Sequence, residues 1–401
     1  MVLRGNGFCP GHVTGFFSIH DEGDNLLKKG SRGAGINLSL GAMTMAAMEP
    51  PKKEGSTEPL HLKLNVRGVN EFEIDESLYT HILESILPDS GIGWKVSLRV
   101  RLQLPVGQGF GMSGAGALSA AIAVWEAFYS SVPAWDRRLR FKAQQEKYFS
   151  MSTGEFRVKP LRKRLLSPMQ LYMGSGTDRK IDPVKGSGKA SGMLEGGGGV
   201  KPPKRWLDRS QAEEKTEAVT YSDCIAAAHR SDILSKGGLG DVVAQARGGL
   251  EMRLAPGIPP FGEVHTIPIG LDDTPSVAFM IVGDSVKTKE VLSNPLKRKR
   301  INESGENALR SLLDNPSLET LVKESYEFSS TTHLQSLPVK GALLEVQEIA
   351  LASQVMLGNS VFAFVGGGLG AVQKKKVMDI WKRHGEVQVC EIDLMGARPI
   401  N

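Results

Sequence analysis

Hydrophobic and polar residues alternate with a period of two between Trp94 and Leu104. Tryptophan, valine and leucine would face one way and lysine, serine, arginine and glutamine the other, which is the pattern of a strand with one buried face. Pro105 and a run of glycines follow, and residues 115–130 (AGALSAAIAVWEAFYS) then have the alanine-rich, apolar character of a buried helix. The pattern predicts a strand, a glycine loop and a helix in succession.

The second half of the chain mixes further helical and strand patterns. Two helices are predicted around a GGLGD loop, two longer ones follow, and short apolar runs predict three strands. The predicted helices are 221–234, 242–247, 304–328 and 338–356, and the predicted strands are 250–254, 276–282 and 360–365. Because helices and strands do not alternate regularly, we expect an α+β fold rather than a regular βαβ sheet.

A stretch from residue 155 to about 215 lacks both periodicities. It contains GSG, GSGK, GMLEGGGG and KPPK, a composition typical of a flexible segment. A chain of 401 residues also exceeds what one hydrophobic core normally absorbs. We therefore predict an N-terminal lobe at 1–150, a flexible insertion at 151–220, and the remaining core with a C-terminal lobe at 221–401.

Composition and charge describe an ordinary globular chain with one basic segment. Hydrophobic residues make up 40%, charged residues 23% and aromatic residues 6%, which argues against disorder throughout. The formal charge is +5, but 13 Lys and Arg against 5 Asp and Glu lie between Glu155 and Arg209, so the remaining chain is mildly acidic. A nucleic-acid-binding protein that uses this segment is an alternative, although Tyr172 and Trp206 make a poor stacking platform.

The cysteines and apolar runs bear on the cellular compartment. Cys9, Cys224 and Cys390 lie far apart, without the paired spacing of a disulfide framework or a structural zinc site. The N-terminus lacks the apolar core of a signal peptide, and no run of about 18 apolar residues exists. We expect a cytoplasmic protein without a membrane segment, and a homodimer stays an open alternative.

The glycine loop, PVGQGFGMSGAGA at 105–117, is the most informative segment. Its glycines leave backbone N–H groups free to converge at a helix start, where the helix dipole adds partial positive charge. Such a loop is a cradle for phosphate. The candidate ligands are Pro105, Gly107, Gly109, Gly111, Ser113, Gly114 and Ala115.

Other interpretations of this loop have weaker support. Residues 109–114 fit the dinucleotide pattern GxGxxG, but no βαβ unit with a ribose-binding acid follows clearly. A Walker A loop would end in Lys-Ser or Lys-Thr, whereas the GSGK that ends at Lys189 is followed by Ala190. Close packing of a strand on a helix would also use glycines, and this alternative stays open.

The loop resembles the second motif of the GHMP kinase superfamily, a Pro, three residues and then GLGSSA, with Phe110 and Met112 as departures from it. The resemblance implies that the loop wraps the phosphates of ATP and that Ser113 helps to hold Mg²⁺. The segment GGLGDVVAQARGG at 237–249 is similar to the part of these kinases that carries the catalytic aspartate, which implies that role for Asp241. Asp241 could instead be a helix N-cap. By the same resemblance Asp232 is a candidate Mg²⁺ ligand.

Four further segments resemble archaeal pantoate kinases within that superfamily: CPGHVTGFF at 9–17, GSRGAGINLS at 30–39, AHRSD at 228–232 and LGNSVFA at 357–363. Because a hydroxy acid needs a cation opposite its carboxylate, Arg32, with Ser31 and Gly33, is the first candidate for that contact. A surface arginine on a turn is the alternative. His12 is a candidate for a hydrogen bond to substrate, or else a structural histidine.

The resemblance implies a two-lobed α+β fold with ATP and an alcohol in the cleft between the lobes. It also implies phosphorylation of (R)-pantoate to 4-phosphopantoate in coenzyme A biosynthesis, with ATP and Mg²⁺. A GHMP kinase for another small alcohol, such as homoserine or a mevalonate-like acid, would keep the same core.

Overall fold

The computed structural model describes residues 1–52, 56–151, 219–235, 237–269, 274–285, 294–367 and 370–400. The described residues form eleven strands and nine α-helices. The strands are β1 Leu3–His20, β2 Gly30–Glu49, β3 His61–Arg67, β4 Lys95–Leu102, β5 Leu250–Ala255, β6 Glu263–Ile267, β7 Ser276–Ile281, β8 Ala352–Val355, β9 Ser360–Val365, β10 Val387–Cys390 and β11 Arg398–Pro399. The helices are α1 Glu76–Ile86, α2 Met112–Phe128, α3 Ala134–Ser150, α4 Tyr221–Leu234, α5 Asp241–Arg247, α6 Pro295–Asp314, α7 Leu318–Thr331, α8 Leu337–Leu344 and α9 Ala371–Trp381.

A long antiparallel hairpin of β1 and β2 is the backbone of the larger sheet. Its strands pair from Leu3 opposite Met48 to His20 opposite Gly30, with irregularities after Pro10 and Thr14. The strand order is β11-β1-β2-β4-β3 along one part of the sheet, while β5 pairs with β2 and β6 pairs with β5. One stretch of β2 therefore pairs with β4 and another pairs with β5. Because β11 pairs with β1, the sheet contains strands from both ends of the described chain.

The predicted strand, loop and helix between residues 94 and 130 are present as β4 and α2. Side chains of β4 alternate between buried and exposed as the pattern predicts. Helix α2 is buried nearly all round and packs very closely on β1: a Cβ added to Gly5 would lie 2.2 Å from the carbonyl oxygen of Ala123. Glycine at this position lets the helix backbone approach the strand.

The smaller sheet is antiparallel, with the order β10-β7-β9-β8. One of its faces contributes Val277, Phe279 and Phe362 to the main core. The other face packs with α8 and α9 in a second hydrophobic cluster around Trp381. The α+β fold with two lobes is confirmed.

Two predicted helices are wrong in extent. The range 304–328 contains the end of α6 and most of α7, because Pro316 lacks an N–H and Ser317 caps a new helix. The range 338–356 is helical only as far as Leu344, where α8 ends, and it also includes β8, where pairing with β9 overrides local helical preference.

The basic segment and most of the predicted insertion lie outside the described residues. Within the part of the chain that is described, no helix has the length and apolar character that a membrane span requires.

Candidate active site

A cleft lies between the two sheets, and several of the segments singled out in the sequence meet there. The glycine loop and the start of α2 form one wall, the hairpin contributes Thr14, Phe17 and Ser31, and residues 237–241 close another side. Met356 and Leu357, from the turn between β8 and β9, complete the lining. The cleft is therefore built from chain segments more than 300 residues apart.

The glycine loop has the backbone conformation that its sequence predicts. Gly107, Gly109 and Gly111 have φ angles of 76°, 85° and 62°, a region that side chains other than glycine rarely adopt. Gly111 is the N-cap of α2, and within the described residues no side chain caps this helix start. The first N–H groups of α2 are therefore available to an anion in the cleft.

The predicted phosphate ligands do not all reach the cleft. Gly107, Gly109, Gly111 and Ser113 line it. Pro105, Gly114 and Ala115 do not line it, and Gly114 packs against Gln245, whose side-chain amide donates to the Gly111 carbonyl at 2.8 Å. Pro105 and Ala115 would shape the loop, whereas Gly114 stays a predicted phosphate contact through its backbone N–H in the first turn of α2.

Asp241 is the first residue of α5, and its carboxylate lines the cleft. Oδ1 accepts hydrogen bonds from His12 Nδ1 at 2.8 Å and from the Thr14 hydroxyl at 3.4 Å. Gly240, and not Asp241, occupies the N-cap position, and no side-chain cap bond is present there in the described structure. The geometry thus favours a site carboxylate over a helix cap.

His12 is fully buried and lies between two carboxylates. Its Nε2 is 3.0 Å from Glu251 Oε1, on the side of the ring away from Asp241. Because an ionised carboxylate only accepts, both ring nitrogens donate and the imidazole is protonated. Burial opposes this charge, but hydrogen bonds to Asp241 and Glu251 outweigh burial and raise the pKa of His12. Burial would also raise the pKa of Asp241, but the hydrogen bond and charge of His12 lower it.

The hairpin sequence makes room for this ring and aligns it with the glycine loop. A Cβ added to Gly35 of β2 would lie 2.3 Å from His12 Nε2, so only a glycine fits beside the imidazole. The backbone N–H of His12 donates to the carbonyl of Phe110 at 3.0 Å. The strand that carries His12 is thereby fixed to the phosphate cradle.

Glu251 and Arg253 are buried charged residues that the sequence analysis did not identify as site residues. They lie two apart on β5, so they share a face, and the Arg253 guanidinium donates to Glu251 Oε1. Arg253 Nε has no hydrogen-bond partner among the described residues. It lies directly behind Gly240, where an added Cβ would be 2.8 Å from Nε and 2.2 Å from the Ser31 hydroxyl. The sequence did contain a signal for these two residues: a glutamate and an arginine stand within the otherwise apolar strand β5.

Asp232, at the C-terminal end of α4, is buried close to the Asp241 carboxylate. Its Oδ2 accepts from the Gly238 N–H at 3.1 Å, and Oδ1 has no partner among the described residues. Burial and the charge of the neighbouring Asp241 raise the pKa of Asp232 to about 7, although the nearby Ser113 hydroxyl and the Gly238 N–H oppose this rise. A Cβ on Gly237 would lie 2.2 Å from Oδ1 and 3.1 Å from the Ser113 hydroxyl.

Of the predicted substrate residues Ser31, Arg32 and Gly33, only one lines the cleft. Ser31 lines the cleft. Arg32 does not: its guanidinium donates to the Leu254 carbonyl and to Glu306 on α6. Adjacent residues of a strand face opposite ways, so a Ser31 that faces the cleft directs Arg32 away from it. Gly33, with φ 146°, allows close contact with the opposite strand.

Comparison with known proteins supports this picture at two levels. No protein-family model matches the chain. Among solved structures, a phosphotransferase related to the CoA biosynthesis pathway has a TM-score of 0.64 at 22% identity, and the match covers 100% of this chain and 99% of that one. Homoserine kinase from Cytophaga hutchinsonii has a TM-score of 0.54 at 11% identity, covering 99% and 97%. The chain has the GHMP kinase fold, as predicted.

Three curated relatives that match the chain are named pantoate kinase. The chain is 26% identical over 369 residues to the pantoate kinase of Thermococcus kodakarensis, covering 91% of this chain and 88% of the relative. It is 38% identical over 135 residues to that of Methanocaldococcus jannaschii, covering 34% and 48%, so this match spans about half of the relative's length. The match to Methanospirillum hungatei pantoate kinase is 25% over 389 residues, covering 96% and 93%. The predicted resemblance to archaeal pantoate kinases is confirmed.

Proposed function

We propose that the protein is an ATP-dependent kinase that phosphorylates (R)-pantoate to 4-phosphopantoate, a step toward coenzyme A. Three curated relatives that carry the name pantoate kinase support the substrate. The observation that carries the reaction class is the meeting of an uncapped, glycine-rich helix start with the Asp241–His12 pair in one cleft.

Asp241 would orient the substrate hydroxyl and accept its proton. A carboxylate with a lowered pKa cannot deprotonate an alcohol in advance, so transfer would occur late, as charge builds on the oxygen in the transition state. His12 cannot take this role, because both its ring nitrogens already donate to carboxylates. It would hold Asp241 ionised and in a fixed orientation.

The N–H groups at the start of α2 would hold the phosphates of ATP without a charged side chain. The three glycines with positive φ bring the backbone close to the anion, and the helix dipole favours negative charge there. Positioning and charge stabilisation supply most of the catalysis in phosphoryl transfer.

The residues near Asp232 fit a magnesium ion. The unpartnered Asp232 Oδ1 and the Ser113 hydroxyl are oxygen ligands close together beside the phosphate cradle. Within the described residues no cluster of three or more His, Cys, Asp or Glu could hold a metal alone, which suits an ion that is shared with phosphates. Asp232 and Ser113 would hold Mg²⁺, which neutralises phosphate charge when bound.

The carboxylate of pantoate needs a cation, and Arg253 fits that role better than Arg32 does. Arg32 is already paired with Glu306 outside the cleft. Arg253 does not line the cleft either and is paired with Glu251, but its buried Nε has no partner among the described residues and lies next to Ser31 and Gly240, which do line it. We infer that Arg253 and Ser31 contact the substrate carboxylate and that Arg32 supports the hairpin.

Turnover of ATP over a panel of alcohols tests the function. ADP release should be fastest with (R)-pantoate, slower with homoserine and mevalonate, and near background without an alcohol, and phosphorus NMR should show a monoester at the 4-hydroxyl. Preference for homoserine or mevalonate would contradict the proposed substrate. A cytoplasmic location and a homodimer stay predictions.

A further inference from the structure

Glu251 joins the two functional parts of the site through a single oxygen. Its Oε1 accepts from His12 Nε2 at 3.0 Å and from the guanidinium of Arg253, while Oε2 has no partner among the described residues. The side chain is completely buried. Charges alternate along this series, from Asp241 through His12 and Glu251 to Arg253.

Burying these charged side chains costs free energy unless each charge has an oppositely charged partner. A carboxylate removed from water loses its solvation, and only close opposite charges with good hydrogen bonds offset that loss. Apolar residues of similar size would fill the space without this cost. A carboxylate that bonds two cations at once has a geometric consequence: neither cation can move without changing the position of the other.

We propose that Glu251 is a positioning residue that couples the proton-accepting carboxylate, through His12, to the cation that binds the substrate, Arg253. The roles of Asp241 as proton acceptor and of Arg253 as substrate cation rest on the proposed function. The hydrogen bonds that join the two residues through His12 and Glu251 do not depend on it. Like His12 and Arg253, Glu251 is buried and does not line the cleft.

The coupling has a kinetic signature. Loss of the Glu251 charge should lower kcat, since His12 would no longer hold Asp241 in place. It should also raise the KM for pantoate, because Arg253 would lose its anchor. The KM for ATP should stay near the wild-type value, since the phosphate cradle has no contact with Glu251. A merely structural role predicts a lower melting temperature without this split.

The test uses Glu251→Gln in the full-length protein. We expect kcat to fall about tenfold to a hundredfold, the range for loss of a charged hydrogen bond, with a similar rise in the KM for pantoate. Glu263→Gln is the control: Glu263 also bonds a histidine, His265 at 2.8 Å, but both lie on β6, are partly exposed and do not line the cleft. Its kinetic constants should be close to wild type.

A second readout does not depend on the substrate. In protein labelled with ¹⁵N-histidine, His12 should show two protonated ring nitrogens, and Glu251→Gln should change that signal. Arg253→Gln should change it as well, although Arg253 and His12 share no hydrogen bond, because Glu251 joins them. This second variant also serves if Glu251→Gln does not fold.

The possible outcomes distinguish failure of the proposed pantoate kinase function from failure of the proposed coupling through Glu251. A wild-type protein that does not turn over pantoate, with His12 signals that still respond to Arg253→Gln, would contradict the substrate and support the coupling. An unchanged His12 signal in Arg253→Gln, or wild-type kcat and KM values in Glu251→Gln, would overturn the coupling.

Discussion

Asp241→Asn is the substitution on which the mechanism depends. The amide keeps the size of the side chain and can still accept from His12 Nδ1 and the Thr14 hydroxyl, but it cannot take a proton. It also leaves the buried His12 with one charged partner, Glu251, where the wild type has two. The substitution should therefore lower both kcat and the free energy of unfolding, and the two effects should differ in size.

The magnitudes follow from these contacts. Loss of a positioned proton acceptor should lower kcat about 10²- to 10⁴-fold. The hydrogen bond from the His12 imidazolium would then reach a neutral amide oxygen instead of a carboxylate, which should cost about 1 to 2 kcal/mol of stability, because the ion pair is lost while the hydrogen bond is kept. The KM for ATP should change little, since the phosphate cradle uses backbone N–H groups.

The assay combines ADP release at saturating substrates with a thermal melt. Asp223→Asn is the matched control, because Asp223 is a true capping residue: its carboxylate accepts from the backbone N–H of Thr220 at the start of α4. That variant should lose some stability and keep wild-type kcat. If Asp241→Asn behaves in the same way, Asp241 takes no part in proton transfer, and positioning with charge stabilisation would be the whole mechanism.

Three further predictions concern binding and stability. Arg253→Ala should raise the KM for pantoate about tenfold to a hundredfold more than the KM for ATP, whereas Arg32→Ala should affect both about equally; steady-state kinetics decides, and the reverse result would restore Arg32 as the clamp. Burial lowers the pKa of His229 from 6.5 to about 4, so the unfolded chain binds more protons below pH 6.5. The His229 contribution to the free energy of unfolding should then fall by up to about 3 kcal/mol as the pH falls to 4, while the raised pKa of Asp232 contributes with the opposite sign, so the difference between wild type and His229→Gln in denaturant titrations at each pH is the measurement that isolates it. Gly5→Ala should destabilise by about 2 kcal/mol or more, because its Cβ would overlap the backbone of α2, while Gly341→Ala, which faces open space in α8, should be neutral or stabilising in the same melts.

Local sequence was sufficient where one segment carries both the pattern and the chemistry. The alternation in β4, the apolar run of α2 and the glycines between them predict a strand, a glycine loop and a helix without reference to the rest of the chain, and all three are present. Asp241 and Ser113 were named because their segments resemble those of the GHMP kinases. The structure places both at the cleft that the loop borders.

The cation for the substrate could not be chosen in this way, because strand neighbours face opposite ways. The sequence made Arg32 the first candidate, with Ser31 beside it, yet of these two residues the orientation of β2 admits only Ser31 to the cleft. Arg253 becomes a candidate only because β5 pairs with β2, with Gly33 opposite Arg253. That pairing joins residues about 220 apart in the chain, and no local pattern encodes it.

His12 shows why the electrostatics of the site needed the fold as well. In sequence it is a lone histidine between a glycine and a valine, which is compatible with a core residue or a ligand contact. In the structure its protonation follows from two carboxylates, one on α5 and one on β5, that approach opposite sides of the ring. The charge of His12 is thus a property of the α5 and β5 positions relative to β1. A change that moves β5 should therefore alter the His12–Asp241 pair, whereas a change that moves α5 should alter the phosphate cradle as well, because Gln245 of α5 bonds the Gly111 carbonyl.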